Sequence, residues 1–258
     1  MYSFYSDHMS TYVFRLPLER KDMITLHKKN TLYQVEENGQ LLGWIEFFRN
    51  PYHAANCYLK IELNRLKPAL GRQLWPQLRE LAGRPLQVMV DASDIAMTHF
   101  LSASGFVCKR TCYEVDASVD DYAGGTADVK LFHCEAGQAD YEACCQMLYR
   151  WYLDTHQAVN PWTASYEDFC AKLPSTAVYA KDGDALESAA FVEGNEIAYV
   201  CSRALPHFDR FAQSLLPAMF QQHTRIVFEC DDCDPAAMLL KNLFTNQSDT
   251  GFCTYIYE

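Results

Sequence analysis

The stretch VMVDASDIAMTHFLSASGF, Val88 to Phe106, has a near-copy in VFECDDCDPAAMLLKNLF, Val227 to Phe244. Each reads as a buried apolar strand, an acidic turn and a short helix. Asp91 aligns with Asp231 and Asp94 with Asp234, both at an offset of 140. The hairpin signals repeat at nearly the same distance, Asn38-Gly39 in one half and Asp182-Gly183 in the other. Each of those dipeptides lies between runs of alternating apolar residues, the strongest short hairpin pattern. One unit repeated once at so long a spacing is a duplicated domain, not a solenoid of short repeats. A chain of 258 residues accommodates two domains of roughly 130 residues each.

The order of elements agrees with the duplication. After its hairpin the first copy runs through the strand CYLKIEL (57–63), a helix over 69–81 and the strand LQVMV (86–90). The helix is read from apolar residues at Leu70, Leu74, Leu78 and Leu81. The helix IAMTHFLSAS and the closing strand FVCKRTCYEVD complete that copy. The second copy repeats the series with EIAYVCS, FDRFAQSLLPAMFQQ, RIVFEC, PAAMLLKNLF and GFCTYIYE. The boundary falls in VDASVDDYAGGTADV (115–129), poor in large apolar groups, and divides the chain into 1–118 and 127–258. Ahead of its hairpin the second copy carries two helices, ADYEACCQMLYRWYLDTH and ASYEDFCAKL. The first copy has a shorter lead there, with TYVFRL as a strand and one helix at most.

Composition narrows the partners. With 22 basic and 33 acidic residues the net charge is −11, which argues against nucleic acid or an anionic membrane, since both select clustered Lys and Arg. No apolar run approaches the roughly 18 residues of a membrane span, and the first residues carry no apolar signal core. The eleven cysteines then read as small apolar core residues of a reduced, cytoplasmic protein. CDDC (230–233) and CKRTC (108–112) have ligand-like spacing, but the aspartates between Cys230 and Cys233 raise thiol pKa values, so no metal is expected.

Strand, hairpin, strand, helix, strand, helix and closing strand, with Gly105-Phe106 after the last helix of the first copy, resemble the GNAT superfamily of acyl-CoA-dependent N-acetyltransferases. The resemblance covers most of 32–116 and 129–258. It implies a mixed α/β fold of two tandem GNAT-like domains, each a central sheet flanked by helices, with acetyl-CoA and an amine acceptor as substrates. In that family the acyl donor sits where two parallel strands splay, and its pyrophosphate meets the next helix start, where unpaired N–H groups and the positive dipole end favour anions. The resemblance places that cradle in LKPALGRQL, at Lys67, Ala69, Leu70, Gly71 and Arg72, with Ile61 and Leu63 beside the pantetheine arm and Asp94 opening the later signature. The family's acid, a Tyr, is replaced by Leu101 in one copy and Lys241 in the other. Glu62 on the splaying strand and Glu46 on the neighbouring one are the positional candidates for a general base, and Tyr113 on the closing strand for a replacement acid. The second copy lacks glycine at its helix start, where His207 and Arg210 are the cationic groups. The run Trp151–Trp162 is either an acceptor-binding element or core and loop. The implied function is acetyl transfer to an amine, with the first copy as the leading site. A non-catalytic acyl-CoA-binding module and a purely structural protein stay open beside it.

Overall fold

The computed structural model describes residues 23–245 and 251–258; the strand expected at TYVFRL and the rest of the shorter lead lie outside the described residues. In the first unit β1 (Ile24–Lys29), β2 (Leu32–Glu37), β3 (Gln40–Phe48) and β4 (Cys57–Leu63) pair antiparallel in chain order. Asn38 and Gly39 take φ values of 54° and 82°, the left-handed pair that a tight hairpin turn demands. β1 is new relative to the sequence reading: ITLHKK buries only Ile24 and Leu26, too short an alternation to stand out. Helix α1 (Pro68–Ala82) buries Leu70, Gly71, Leu74, Trp75 and Leu78, and leads into β5 (Leu86–Asp91) and α2 (Ile95–Ala103). β6 (Val107–Ser118) follows.

The second unit opens with β7 (Phe132–Glu135), α3 (Ala139–His156) and the five-residue α4 (Tyr166–Cys170). The hairpin strands β8 (Thr176–Asp182) and β9 (Ala185–Glu193) come next, then β10 (Glu196–Ser202), α5 (Leu205–Phe220), β11 (Arg225–Asp231) and α6 (Pro235–Lys241). The strand order is β6-β11-β10-β9-β8-β7. Alternation along the strands gives the unit two apolar faces. One, with Val178, Ala190, Ile226 and Phe228, takes Phe208, Phe211 and Leu215 of α5. The other, with Ala177, Tyr179 and Phe191, takes Tyr141 and Leu148 of α3 and Phe169 of α4. Seven of the eleven cysteines are buried, and among the described residues none is in a disulfide. Among the described residues no helix is long and apolar enough to cross a membrane.

Chain order and compact units do not coincide. β12 (Gly251–Tyr257) closes the sequence, yet Tyr255–Glu258 belong to the first unit, while Lys109–Ser118 of β6 belong to the second. Within the second unit β6 pairs with β11 from Arg225↔Ser118 to Asp231↔Cys112. The division expected at 1–118 and 127–258 follows the chain; the closing strands follow their pairing partners instead. In the first unit Tyr257 lies 5.4 Å, ring to ring, from Phe106 and against Gly105.

Two outcomes check this architecture. Removing residues 255–258 is expected to raise hydrogen exchange in β5 and α2 of the first unit, because Phe106 loses its cover; unchanged protection there overturns the assignment. Gly71→Ala is expected to lower stability by about 1–3 kcal/mol, read by denaturant titration. A Cβ at Gly71 meets Ser104 Cβ at 2.5 Å and Trp75 Nε1 at 2.7 Å, and a neutral substitution would show that this packing is not tight.

Candidate functional site

The second unit contains an opening wedge. β10 and β11 are parallel but pair only at Glu196↔Val227, although β10 continues to Ser202 and β11 to Asp231. On the other side of β10 the register against β9 shifts between Ile197 and Tyr199, so Ala198 has no opposing residue. Such a bulge bends its strand and strengthens the local twist, which carries β10 away from β11. A cavity of about 90 Å³ lies in the opening, lined by Ile197 to Val200 of β10, Glu229 and Asp231 of β11, and Trp151, Tyr152 and His156 of α3. In the first unit β4 and β5 also part early, after Cys57↔Leu86 and Tyr58↔Gln87, but β4 pairs with β3 without a register shift.

A charge network stands at the end of the wedge. Asp231 Oδ2 accepts from Arg110 Nη1 and from His156 Nε2, each at 2.9 Å. Thr155 Oγ1 lies 2.8 Å from His156 Nδ1, and Tyr152 stacks on the imidazole at 4.1 Å with the rings 4° apart. Arg110 also donates to Thr254 Oγ1 at 3.1 Å. Burial works against ionisation of Asp231, but the His156 hydrogen bond and the Arg110 charge outweigh it and hold the carboxyl below the usual range. Asp231 Oδ1 is buried without a hydrogen-bond partner among the described residues. That orphan oxygen faces a cost unless water or a ligand donor reaches it. Asp234 behaves oppositely: burial pushes its pKa up, even though its side chain caps α6 through Ala236 and Ala237 N–H and accepts from Trp151 Nε1. His156, Asp231 and Cys233 are close enough to share a cation. Arg110 already supplies positive charge at Asp231, and burial followed by the Asp231 charge pushes the Cys233 thiol up to about 12, away from the thiolate a metal needs.

The residues anticipated in the first unit are not gathered into one site. Leu70 and Gly71 face the core, and their N–H groups donate to Lys67 O at 2.9 and 3.2 Å. Ser104 and Trp75 crowd the space that a Cβ at Gly71 would take. Arg72 is tied through Nη1 to Ala103 O at 2.8 Å. Pro68 occupies the first turn of α1 and brings no N–H, and Lys67, Ala69 and Arg72 are the exposed members of the expected cradle. Glu62 points into solvent and pairs with Lys60 at 2.7 Å. Asp94 caps α2 by accepting from Met97 N at 3.0 Å. Ile61 and Leu63 pair with Ile45 and Gly43 of β3, beyond the last pair of β4 with β5. Tyr113 lies in the second unit, where its ring covers the Lys241 ammonium at 4.6 Å.

The second unit's helix start is equally spare. Pro206 removes one donor of α5, and the His207 and Phe208 N–H groups return to Ala204 O. The His207 side chain pairs with Glu187, leaving Arg203 and Arg210 as the exposed cations nearby. The run Trp151–Trp162 divides between two tasks. Trp151, Tyr152 and His156 line the cavity, while Trp162 packs on Tyr152 and Phe169. The sequence gives His156 and Arg110 no individual role, and shows Asp231 as an alignment mark and an acidic neighbour of Cys230 and Cys233. The repeat of Asp91 at Asp231 was the available signal.

No protein-family model and no curated protein matches the sequence. Among solved structures the chain is similar to a GCN5-related N-acetyltransferase from Sphaerobacter thermophilus, with a TM-score of 0.52 and 10% identity over 93% of this chain and 82% of that one. A GCN5-related N-acetyltransferase from Kribbella flavida aligns at a TM-score of 0.47 and 10% identity, over 91% of this chain and 89% of that one. A tandem GNAT protein from the clavulanic acid biosynthesis pathway aligns at 0.44 and 13%, over 91% and 83%. The chain has the fold of the GCN5-related N-acetyltransferases, in two tandem copies.

Proposed function

We propose that the second unit is an acyltransferase that moves an acetyl group from acetyl-CoA to an amine, in a reducing, cytoplasmic setting that suits eleven free thiols. The observation that carries this reading is the wedge between β10 and β11 with the partnerless Asp231 Oδ1 at its end. The open edge of β10 beyond Glu196 offers backbone groups to an extended arm, in the manner of an added strand. The residues fit the acyl end of such a donor better than its pyrophosphate end, where Leu205 N–H, Arg203 and Arg210 are the groups that would hold the phosphates. Acetyl-CoA supplies an activated thioester carbonyl.

The chain's own residues then have distinct tasks. The carboxyl of Asp231 is held below the usual range and is therefore a weak base, so it anchors rather than deprotonates: Oδ1 accepts a hydrogen bond from the incoming amine, while Arg110 and His156 fix the carboxylate. Glu229, exposed two residues earlier on the same face of β11, takes the proton as the C–N bond forms and the C–S pair leaves with sulfur. Trp151, Leu148 and Val200 exclude water from the cavity. This assignment moves the leading site from the first unit, whose Gly71 and Arg72 are engaged in packing, to the second.

A second reading, acyl-CoA binding without catalysis, is favoured by one observation. At the family's acid position Leu101 is fully buried and Lys241 is engaged with Tyr113. Calorimetric titration with acetyl-CoA, followed by thiol release with an amine panel, separates the two. Heat with no thiol release leaves binding alone; no heat ends both. Asp231→Asn is expected to lower thiol release about 10- to 100-fold, the worth of a hydrogen bond to a charged group, and activity at the wild-type level would remove Asp231 from the site.

The same substitution has a pH signature. The folded pKa of Asp231 lies below its unfolded value, so its stabilising effect is fully present above about pH 4 and is lost as pH falls through the folded value. The stability gap between wild type and Asp231→Asn is therefore expected to be widest near neutrality and to narrow on acidification below about pH 4. A gap that widens in acid would contradict this charge assignment.

A further inference from the structure

A second cavity, of about 290 Å³, lies wholly in the first unit, at the end of the sheet opposite the splay of β4 and β5. It is walled by the β1–β2 turn, the last residues of β3, Cys57 at the start of β4 and the C-terminal turn of α1. Three cations line it, Lys28, Arg49 and Arg84, and among the described residues that line it none is acidic. In a chain of net charge −11 that is a local reversal of sign. Arg84 is held by donation from Nη1 to Ala54 O at 2.6 Å. Burial pushes the Cys57 thiol up while Arg84 and then Arg49 draw it back.

The remaining wall is aromatic. Tyr33 and Phe47 pack with their rings 4.6 Å apart, and Lys28 Nζ stands 5.6 Å from the Tyr33 ring. Phe48, 47% exposed, presents a large ring to solvent at the mouth, braced by Tyr58 at 5.4 Å. Exposed aromatic rings beside Arg and Lys are the groups on which nucleobases stack while phosphates find their charges. The volume stands near the lower end of small-molecule sites, at about 300 Å³. The geometry points to a nucleoside phosphate site here, taking a base against Phe48 and a di- or monophosphate between Lys28, Arg49 and Arg84. It is independent of the acyl cavity, which is lined by second-unit residues alone.

The test is calorimetric titration of the full chain with ADP, adenosine and pyrophosphate at low ionic strength, where exposed charges are least screened. ADP is expected to bind more tightly than either fragment and to slow hydrogen exchange over residues 28–33 and 47–49. The double substitution Lys28→Glu with Arg49→Glu is expected to weaken ADP at least tenfold while the circular dichroism stays that of the wild type. Phe48→Ala keeps the charges and is expected to weaken ADP but not pyrophosphate, so the inference stays testable if the charge reversal disturbs folding. No ADP binding at millimolar concentration overturns it. So does an affinity unmoved by either variant, which would place the nucleotide elsewhere, or pyrophosphate binding as tightly as ADP, which would leave the rings without a role.

Discussion

Two parallel strands that stop pairing after one residue create the problem that the rest of the second unit answers. Backbone groups along β10 and β11 lose their natural partners at Glu196↔Val227, and unpaired backbone groups away from water are costly. The bulge at Ala198 commits β10 to that divergence. Helix α3 covers one face of the gap with Trp151, Tyr152 and His156, and α6 reaches it from its Asp234 cap. Asp231 at the end of the gap can stay charged because Arg110 and His156 reach the same oxygen. Removing either donor leaves a buried carboxylate undercompensated, the situation in which a buried pair is worth most.

The two copies show how a duplicated frame diverges under different local demands. Asp91, the counterpart of Asp231, accepts from the N–H and hydroxyl of Ser93 and has become part of a turn. Asp231 instead became the centre of a buried network. Asp94 and Asp234 both kept the helix-capping task, which depends only on neighbours a few residues away. The two copies share the capping bonds made to near neighbours and differ in the bonds made to distant partners.

That distinction also explains how much was legible beforehand. Helix α3, the hairpins, the helix-strand alternation and the duplication depend on periodicity and turn residues, and all could be read from the sequence. The phosphate cradle at Lys67 to Arg72 could not be judged that way, because Ser104 and Ala103 reach Gly71 and Arg72 from about 30 positions away. Tyr113 was attached to the first copy by chain order, whereas its strand pairs with β11. His156 looked like the end of a helix until Asp231, far along the chain, met its ring. Contacts of high sequence separation leave no periodic trace.

The exchanged closing strands bear on how the chain can be assembled in time. The first unit needs Tyr255 to Glu258, so synthesis of its first hundred residues cannot by itself complete it. An N-terminal intermediate must wait, with Phe106 uncovered, until the chain has been made through Tyr257. Closure across so long a stretch is entropically slow and leaves apolar surface open to wrong partners.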